Sequence, residues 1–284
     1  MEKAGLVLSG GGARGLAHIG VLKVLEKHGL IPDLIVGASM GGIIGGLYSY
    51  GITTDEMENF FKNFKVNSLF EKGKPLSLLI SESGESKIIQ YVKMEIALNF
   101  LLTRIGLDSG RKIRTFLGQL TNCAHFSDLK IPFACVAADI IKGEKVVFKE
   151  GKLNEAIYAT MAIPPFFEPL KYDNKLLVDG GILSNAPVDT AKEMGATKTI
   201  TVDVNRSLIN NEKKDFKTAI DILFRIFDIE SNIIYSQELS KSDLLINVEV
   251  EAEIFDFKKY KYIIKKGEEA TYSKLPELKK IWGK

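Results

Sequence analysis

Short apolar runs alternate with amphipathic stretches along most of the chain. Each run is four to eight residues long and has the character of a buried strand, and most intervening stretches carry apolar residues at helical spacing. Continuous apolar strands separated by helices are typical of a largely parallel sheet covered on both faces. The pattern therefore predicts an α/β fold. The predicted strands are Ala4–Leu8, Leu34–Gly37, Ile131–Ala138, Lys175–Asp179, Thr197–Val204 and Leu244–Val250.

Two of the predicted helices carry end signals. The first spans Arg14–Lys27 with its apolar residues on one face, and His28 and Gly29 after it suit a C-terminal turn. The second begins in "TTDEMENFF", where Thr53 and Glu56 have the spacing of a capping box. These signals predict one helix between the first two strands and another soon after the second strand.

Composition limits the class of protein. The chain has 284 residues, of which 45% are hydrophobic, and this is enough for a sizeable core. Apolar stretches such as Ile96 to Leu102 fall short of the roughly 18 residues that span a membrane, and the first run ends at Leu8, too early for a secretory signal. A cytoplasmic protein is expected. A net charge of +2 gives no indication of nucleic-acid binding, and Cys123 and Cys135 form no metal-binding or redox pair.

One domain covering residues 1–284 is predicted, with a core from about residue 4 to residue 205. Residues 65–107 are the least regular part, charged and serine-rich in "SESGESK" and then apolar in "EIALNFLL". They form either a cap or lid over a site or a surface excursion, and the sequence leaves both interpretations open. Residues 206–284 are predicted to be a helical and strand extension of the same domain.

The stretch "LVLSGGGARG" contains Gly10, Gly12 and Gly15 at the spacing G-x-G-x-x-G, which also occurs in dinucleotide-binding loops. Such a loop needs an acidic residue at the far end of the second strand, and the candidate, Asp33, precedes that strand. No G-K-[ST] follows the glycines, so a Walker A loop is also absent. The loop is therefore better interpreted as one that holds a negative charge other than a phosphate.

The segment "GASMG" has the pattern G-x-S-x-G of a nucleophile elbow. The strand "DLIVG" leads into Ser39, and "MGGIIGGLYSYG" continues as a helix of small residues, so the context is strand, sharp turn and helix. Gly37 and Gly41 leave room for the turn, and Ser39 at the helix N-terminus is the candidate nucleophile. The alternative is that Ser39 only caps a closely packed helix.

A histidine base would have to be one of only three residues. His18 lies on the first helix, where a core or surface role is expected, and His28 suits the end of that helix. A triad of Ser39 with Asp108 and His125 stays open, although "NCAHFSDL" resembles an ordinary connection.

A carboxylate that acts directly is the preferred partner. In "KLLVDGGILSNAPVD" a strand delivers Asp179 to its carboxyl end, where sites in parallel sheets gather. Gly180 and Gly181 let other backbone approach closely. Asp179 could act as a base near neutral pH if burial raises its pKa. The alternative for this segment is a tight turn after a strand.

The glycine loop then has a chemical use. Main-chain N–H groups of Gly10, Gly11 and Gly12 can point into one concavity and stabilise the negative oxygen of a tetrahedral intermediate. Arg14 either adds positive charge or ties the loop to its neighbours, or it is a solvated arginine at a helix start.

The motifs "SGGGARG", "GASMG" and "DGG", in this order, resemble the patatin-like phospholipases, with support from "ATMAIPPFFEP" and "SNAPVD". The resemblance covers roughly Ala4 to Asn205. It implies a three-layer α/β/α sandwich, a catalytic pair of Ser39 with Asp179, and an oxyanion hole at Gly10–Gly12, with Met40 as a supporting neighbour. It also implies that no catalytic histidine, metal or cofactor takes part.

The combined prediction is a serine acyl hydrolase that cleaves fatty acyl esters of phospholipids or lysophospholipids through an acyl-enzyme. A catalytically silent lipid-binding or regulatory module, a small-ester hydrolase and an acyltransferase are the alternatives. Contact with an anionic membrane surface is a further hypothesis, based on "DILFRIFDIESNII" and "FKKYKYIIKK". A core helix and a solvated basic segment would explain the same residues. The sequence leaves the oligomeric state open.

Overall fold

The computed structural model describes residues 2–64, 103, 105, 106, 108–205 and 219–283. Its centre is one sheet, to which eight strands contribute within these ranges. The strands are β1 (Ala4–Leu8), β2 (Leu34–Ala38), β3 (Phe133–Asp139), β4 (Glu144–Phe148), β5 (Leu170–Tyr172), β6 (Lys175–Asp179), β7 (Lys198–Asp203) and β8 (Leu244–Asn247). All six predicted strands are present; β1 and β6 have the predicted bounds, and the ends of the other four differ by at most three residues.

The middle of the sheet is parallel, as predicted. Its order is β3-β2-β1-β7-β8, and each of these neighbours runs parallel to the next. β1 therefore lies at the centre and is buried along its whole length. Its carboxyl end, at Leu8, leads into the glycine loop, while that of β2, at Ala38, leads into Ser39. The glycine loop and Ser39 therefore both lie at the carboxyl-terminal end of the parallel strands.

β4, β5 and β6 differ from the prediction. β4 and β5 were not predicted, and both pair in antiparallel fashion, β4 with β3 and β5 with β6. The predicted bounds of β6 are correct, but β6 runs antiparallel to β3, so the reason given for the position of Asp179 is wrong. Asp179 does not end a parallel strand.

Helices cover both faces of the sheet. The predicted first helix begins as a 3₁₀ turn over Gly12–Leu16 and becomes α-helical only at Ala17. The capping box of Thr53 and Glu56 is confirmed. The α-helices are α1 (Ala17–Lys27), α2 (Ser39–Tyr50), α3 (Thr54–Lys62), α4 (Arg111–Leu120), α5 (Leu153–Met161), α6 (Val188–Glu193), α7 (Ala219–Ser240), α8 (Tyr260–Ser273) and α9 (Leu275–Ile281).

Two hydrophobic clusters lie on opposite faces of the sheet. In β1, Leu6 and Leu8 belong to the larger cluster, whereas Val7 belongs to the smaller one, as the alternation of side chains along a strand requires. The larger cluster includes residues of α1, α2, α3, α4, α5 and α8, while the smaller includes residues of α6 and α7. The fold is thus the three-layer α/β/α sandwich that the resemblance implied.

Two expectations concern segments that the structure covers only in part. Most of the possible cap, residues 65–107, lies outside the described residues, as do residues 206–218. After that second gap, β8 joins the central sheet beside β7, and α8 packs against α1. Within the described ranges, every helix is too short or too polar to cross a bilayer.

Candidate active site

The strand β3 brings the two predicted site residues together. One edge of β3 pairs with β4 over Cys135–Asp139. The opposite edge must then carry both β2, whose Ala38 lies beside Val136, and β6, whose Asp179 lies beside Ala137. The last residues of β2 and β6 therefore meet end to end along this side of β3, because their partners in β3 are consecutive residues. Ser39, the residue after Ala38, consequently lies next to Asp179.

Ser39 sits on a strained turn. Its φ is 50°, in the left-handed region that non-glycine residues rarely adopt. Its main-chain N–H donates to the hydroxyl oxygen of Thr160 at 2.9 Å, and both residues are buried. A Cβ on Gly37 would lie 2.4 Å from the backbone of Gly41, which explains why the turn uses glycine at this point. This is the strand, turn and helix arrangement of a nucleophile elbow.

Asp179 is a buried carboxylate with an unusual proton affinity. Its Oδ1 accepts a hydrogen bond from the N–H of Gly181 at 2.8 Å, and its buried Oδ2 has no partner in full hydrogen-bond geometry among the described residues. Burial raises the pKa of Asp179 from 3.8 to about 6, although hydrogen bonding from Ser39 and from Gly181 opposes this shift. The Ser39 hydroxyl is therefore within interaction range of a carboxylate that can take up a proton near neutral pH.

The glycine loop lies beside the elbow. A Cβ on Gly10 would lie 3.0 Å from the Cβ of Ser39, so the loop and the serine are immediate neighbours. The Gly10 N–H donates to the carbonyl oxygen of Asn185 at 3.2 Å, which differs from the expectation that it points into the concavity. The N–H groups of Gly11 and Gly12 have no acceptor among the described residues. Two main-chain donors are thus available rather than three.

Arg14 is buried and ties the loop to its neighbours. Its Nη2 donates to Oδ1 of Asn205 at 3.1 Å, and its Nη1 donates to the carbonyl oxygen of Ala252 at 3.3 Å. The solvated arginine is therefore excluded as an interpretation. Met40, which follows the serine, packs against the same loop, because a Cβ on Gly15 would lie 2.4 Å from its Cγ.

The histidines have other environments. His18 is fully buried, its Nε2 lies 2.8 Å from the carbonyl oxygen of Ser9, and burial lowers its pKa to about 4. His28 ends α1, as predicted. His125 is exposed in a connection, and Oδ1 of Asp108 accepts from the N–H of Gly110 at 2.8 Å. This side-chain hydrogen bond of Asp108 and the hydrogen bond of the His125 N–H are thus made within the described structure to groups other than Ser39.

An apolar cavity of about 330 Å³ opens at Ser39. Its walls come from α2, α3 and α4 and from residues 161–167 and 254–257. Among the described lining residues, Ser39 and Glu56 are the only ones with an oxygen-bearing side chain. Ile43 and Leu47 follow Ser39 on one face of α2, so the cavity extends about 12 Å along this helix from the hydroxyl group. Its shape and polarity suit an alkyl chain.

Three site residues were not predicted. Thr160 holds the elbow, Asn185 accepts from Gly10, and Asn205 contacts both Gly10 and Arg14. The motifs "ATMAIPPFFEP" and "SNAPVD" contain the first two, so the sequence marked the segments without revealing their roles. No sequence motif marked Asn205. It lies two residues beyond β7, which is the strand next to β1.

The fold and the site define a class, namely α/β proteins that carry a serine at a strand-to-helix turn beside a buried aspartate. Within this class, the chain belongs to the patatin-like phospholipase family, whose sequence profile matches residues 6–192. This range contains both Ser39 and Asp179.

Relatives and solved structures agree with this assignment. A lysophospholipase NTE1 of Debaryomyces hansenii is 30% identical over 203 residues, which is 72% of this chain and 12% of that protein. An uncharacterized NTE family protein of Mycobacterium bovis is 33% identical over 205 residues, or 72% of this chain and 50% of that protein. The chain thus spans half or less of these relatives. The crystal structure of VipD from Legionella pneumophila has the same fold, with a TM-score of 0.56 at 16% identity, covering 98% of this chain and 67% of VipD.

Proposed function

We propose that this protein is a serine acyl hydrolase of the phospholipase A or lysophospholipase type, acting on fatty acyl esters through an acyl-enzyme. The observation that carries the proposal is the position of Ser39, which adjoins the buried Asp179 and opens onto an apolar cavity. Membership of the patatin-like phospholipase family and the similarity to a lysophospholipase support the same chemistry.

In the first half of the reaction, Ser39 Oγ forms a bond to the acyl carbonyl carbon while its proton passes to Asp179. The carbonyl oxygen becomes negative, and the N–H groups of Gly11 and Gly12 stabilise it, each by roughly 3 kcal/mol. When the tetrahedral intermediate collapses, the ester bond breaks and the alcohol leaves with the proton from Asp179. The acyl chain, now bound to Ser39, occupies the cavity.

In the second half, a water molecule attacks the acyl carbon and gives a proton to Asp179. The fatty acid leaves, and Ser39 recovers its proton. A pKa of about 6 suits both steps, because Asp179 is ionised near neutral pH and yet holds a proton more readily than an ordinary aspartate.

A series of esters of increasing acyl length tests this proposal. Each additional methylene that enters the cavity contributes about 0.8 kcal/mol, so kcat/KM should rise about fourfold per methylene until the cavity is filled. The Leu47→Trp variant should lose activity on long-chain esters and keep it on butyrate, because Leu47 lines the cavity about 12 Å from Ser39. Mass spectrometry of a mixed lipid extract then identifies the products.

Other outcomes would favour the alternatives. A small-ester hydrolase would prefer acetate to any longer acyl group, and an acyltransferase would form a new ester when an alcohol acceptor is added. A silent lipid-binding module would react at Ser39 with a fluorophosphonate probe at most, without turnover of any ester. Absence of ester turnover in the folded protein would contradict the proposal, whether or not Ser39 is labelled.

We also propose that α7 contacts the lipid surface. Its residues Ile222, Ile226, Ile229 and Ile233 recur at the spacing of one helix face and are each about half exposed, so a core helix does not explain them. The basic segment behaves differently, because Ile263 and Ile264 of α8 are buried and several of its lysines are solvated. The apolar face of α7 is therefore the better candidate.

Sedimentation with phospholipid vesicles checks this second proposal. Ile226→Asp should lower the partition coefficient for vesicle binding at least about tenfold, because a buried isoleucine contributes roughly 1.5 kcal/mol or more. Ile31→Asp is the matched control, since Ile31 and Ile226 are both 48% exposed. Ile31 lies before the first residue of β2, whereas Ser39 follows its last residue, so the two are at opposite ends of this strand. Failure of the wild type to bind anionic vesicles at low salt would contradict the contact.

A further inference from the structure

Asn205 links the glycine loop to the strand beside it. The residue is buried just after β7, and its N–H donates to Oδ1 of Asp203 at 2.7 Å. Its side-chain Nδ2 donates to the carbonyl oxygen of Gly10, and its Oδ1 accepts from Nη2 of Arg14 at 3.1 Å. Because arginine is only a donor and a carbonyl only an acceptor, the amide nitrogen must face Gly10 and the amide oxygen must face Arg14. The Asn205 side chain therefore has a single orientation.

The hydrogen bond to Gly10 determines where the next N–H points. A trans peptide is planar, so the N–H of Gly11 points in the direction opposite to the carbonyl of Gly10. Asn205 holds that carbonyl on one side, and the Gly11 N–H is therefore directed away from Asn205. This N–H has no acceptor among the described residues, and the adjoining Gly10 is an immediate neighbour of Ser39.

We propose that Asn205 is a positioning residue that aims the Gly11 N–H at the oxygen of the acyl group attacked by Ser39. The inference rests on the proposed function and adds a residue that acts through the main chain. An external anchor is needed because glycines impose little restriction on φ and ψ, so the Gly10–Gly11 peptide could otherwise rotate. With Asn205 in place, the donor is oriented before the substrate binds.

A pair of ligands separates this role from a general effect on the fold. In an alkyl trifluoromethyl ketone, Ser39 Oγ adds to the carbonyl carbon, the π electrons move to the oxygen, and the serine proton passes to Asp179. The resulting oxyanion requires the Gly11 N–H. The corresponding secondary alcohol fills the cavity with the same alkyl chain but forms no adduct, so its affinity reports only the shape of the site.

Asn205→Asp is the central variant, because it keeps an acceptor for Arg14 and the size of the side chain but loses the donor to Gly10. We expect kcat and the affinity for the ketone to fall together by about 10² to 10³. The alcohol affinity and KM should stay within about threefold of wild type, because these ground states carry no oxyanion. Ile246→Val, in the buried part of β8, is a control that destabilises the fold without touching the loop.

The ratio of ketone to alcohol affinity decides the outcome. A ratio in Asn205→Asp equal to that of wild type would overturn the role of Asn205, as would an equal change of the ratio in Ile246→Val. If Asn205→Asp does not fold, Asn205→Ala removes the same donor without adding a charge, and the same loss is expected. A wild-type protein that binds the ketone no more tightly than the alcohol would contradict the proposed function itself, and this role with it.

Discussion

Replacing Asp179 with asparagine is expected to lower kcat for ester hydrolysis by about 10⁴-fold while making the folded protein more stable. The rate falls because asparagine cannot accept the proton of Ser39. Ser39→Ala should reduce kcat at least as much and should abolish labelling by a fluorophosphonate. The double variant should be no slower than the slower single variant, since residues that act as one unit do not contribute additively.

The gain in stability follows from the pKa of Asp179. Burial raises this pKa from 3.8 to about 6, so the folded state binds the proton more tightly than the unfolded chain. The stability that the proton contributes is fully present below a pH of about 4 and is lost as the pH rises through about 6. Above that pH the ionised carboxylate lowers the free energy of unfolding by as much as about 3 kcal/mol. Asparagine is neutral throughout and avoids this loss.

Two pH series check the assignment. For wild type, kcat/KM should rise with pH, with a midpoint near 6, because the ionised form of Asp179 is the base. Urea unfolding should show that the free energy of unfolding of Asp179→Asn exceeds that of wild type by more near pH ~8 than near pH ~4. A flat rate profile in wild type, or an advantage that does not grow with pH, would show that Asp179 is not the buried base.

The sequence could point to Ser39 and Asp179 as candidate site residues because each lies in a local signal. The turn at Ser39 needs glycine on both sides, and such turns are visible as patterns a few residues long. The burial of Arg14 could not be predicted, because it depends on Asn205 and Ala252, which lie 191 and 238 residues away. The use of the Gly10 N–H by Asn185 depends on a similarly distant contact.

The direction of β6 shows where the interpretation of strands went wrong. Its apolar residues resemble those of a parallel strand, and they therefore predicted one. The turn before β6 carries a sequence signal for a hairpin, because Asp173 and Asn174 form the two-residue connection between β5 and β6. Asp173 has a φ of 51°, as such a turn requires. Asp and Asn at such positions are typical of a hairpin, which makes the two strands antiparallel.

The apolar cavity was beyond the reach of sequence patterns. Helical spacing identifies the apolar faces of α2, α3 and α4, but it does not tell which of them pack together and which leave a space. The walls also include residues 161–167 and 254–257, from two distant parts of the chain. Substrate class therefore had to be inferred from the resemblance, and the cavity now supports it independently.

Gly41→Ala should destabilise the protein by at least about 3 kcal/mol and remove activity. The added Cβ would lie 2.1 Å from the carbonyl oxygen of Leu8 and 2.7 Å from that of Ser9, and both atoms belong to the backbone at the end of β1. A side chain could rotate away from such a contact, but a central strand cannot. The first turn of α2 would have to move outward, and Ser39 would move with it.

Gly118→Ala provides the matched control, because Gly118 lies inside α4 and its added Cβ would be no closer than 3.4 Å to any other group. Alanine favours a helix interior over glycine by up to about 1 kcal/mol, so this variant should be neutral or more stable. Urea unfolding of both variants, with fluorophosphonate labelling of the folded fraction, separates the two effects. If Gly41→Ala were as stable and as reactive as Gly118→Ala, α2 would not be pressed against β1, and the close approach that positions Ser39 would not exist.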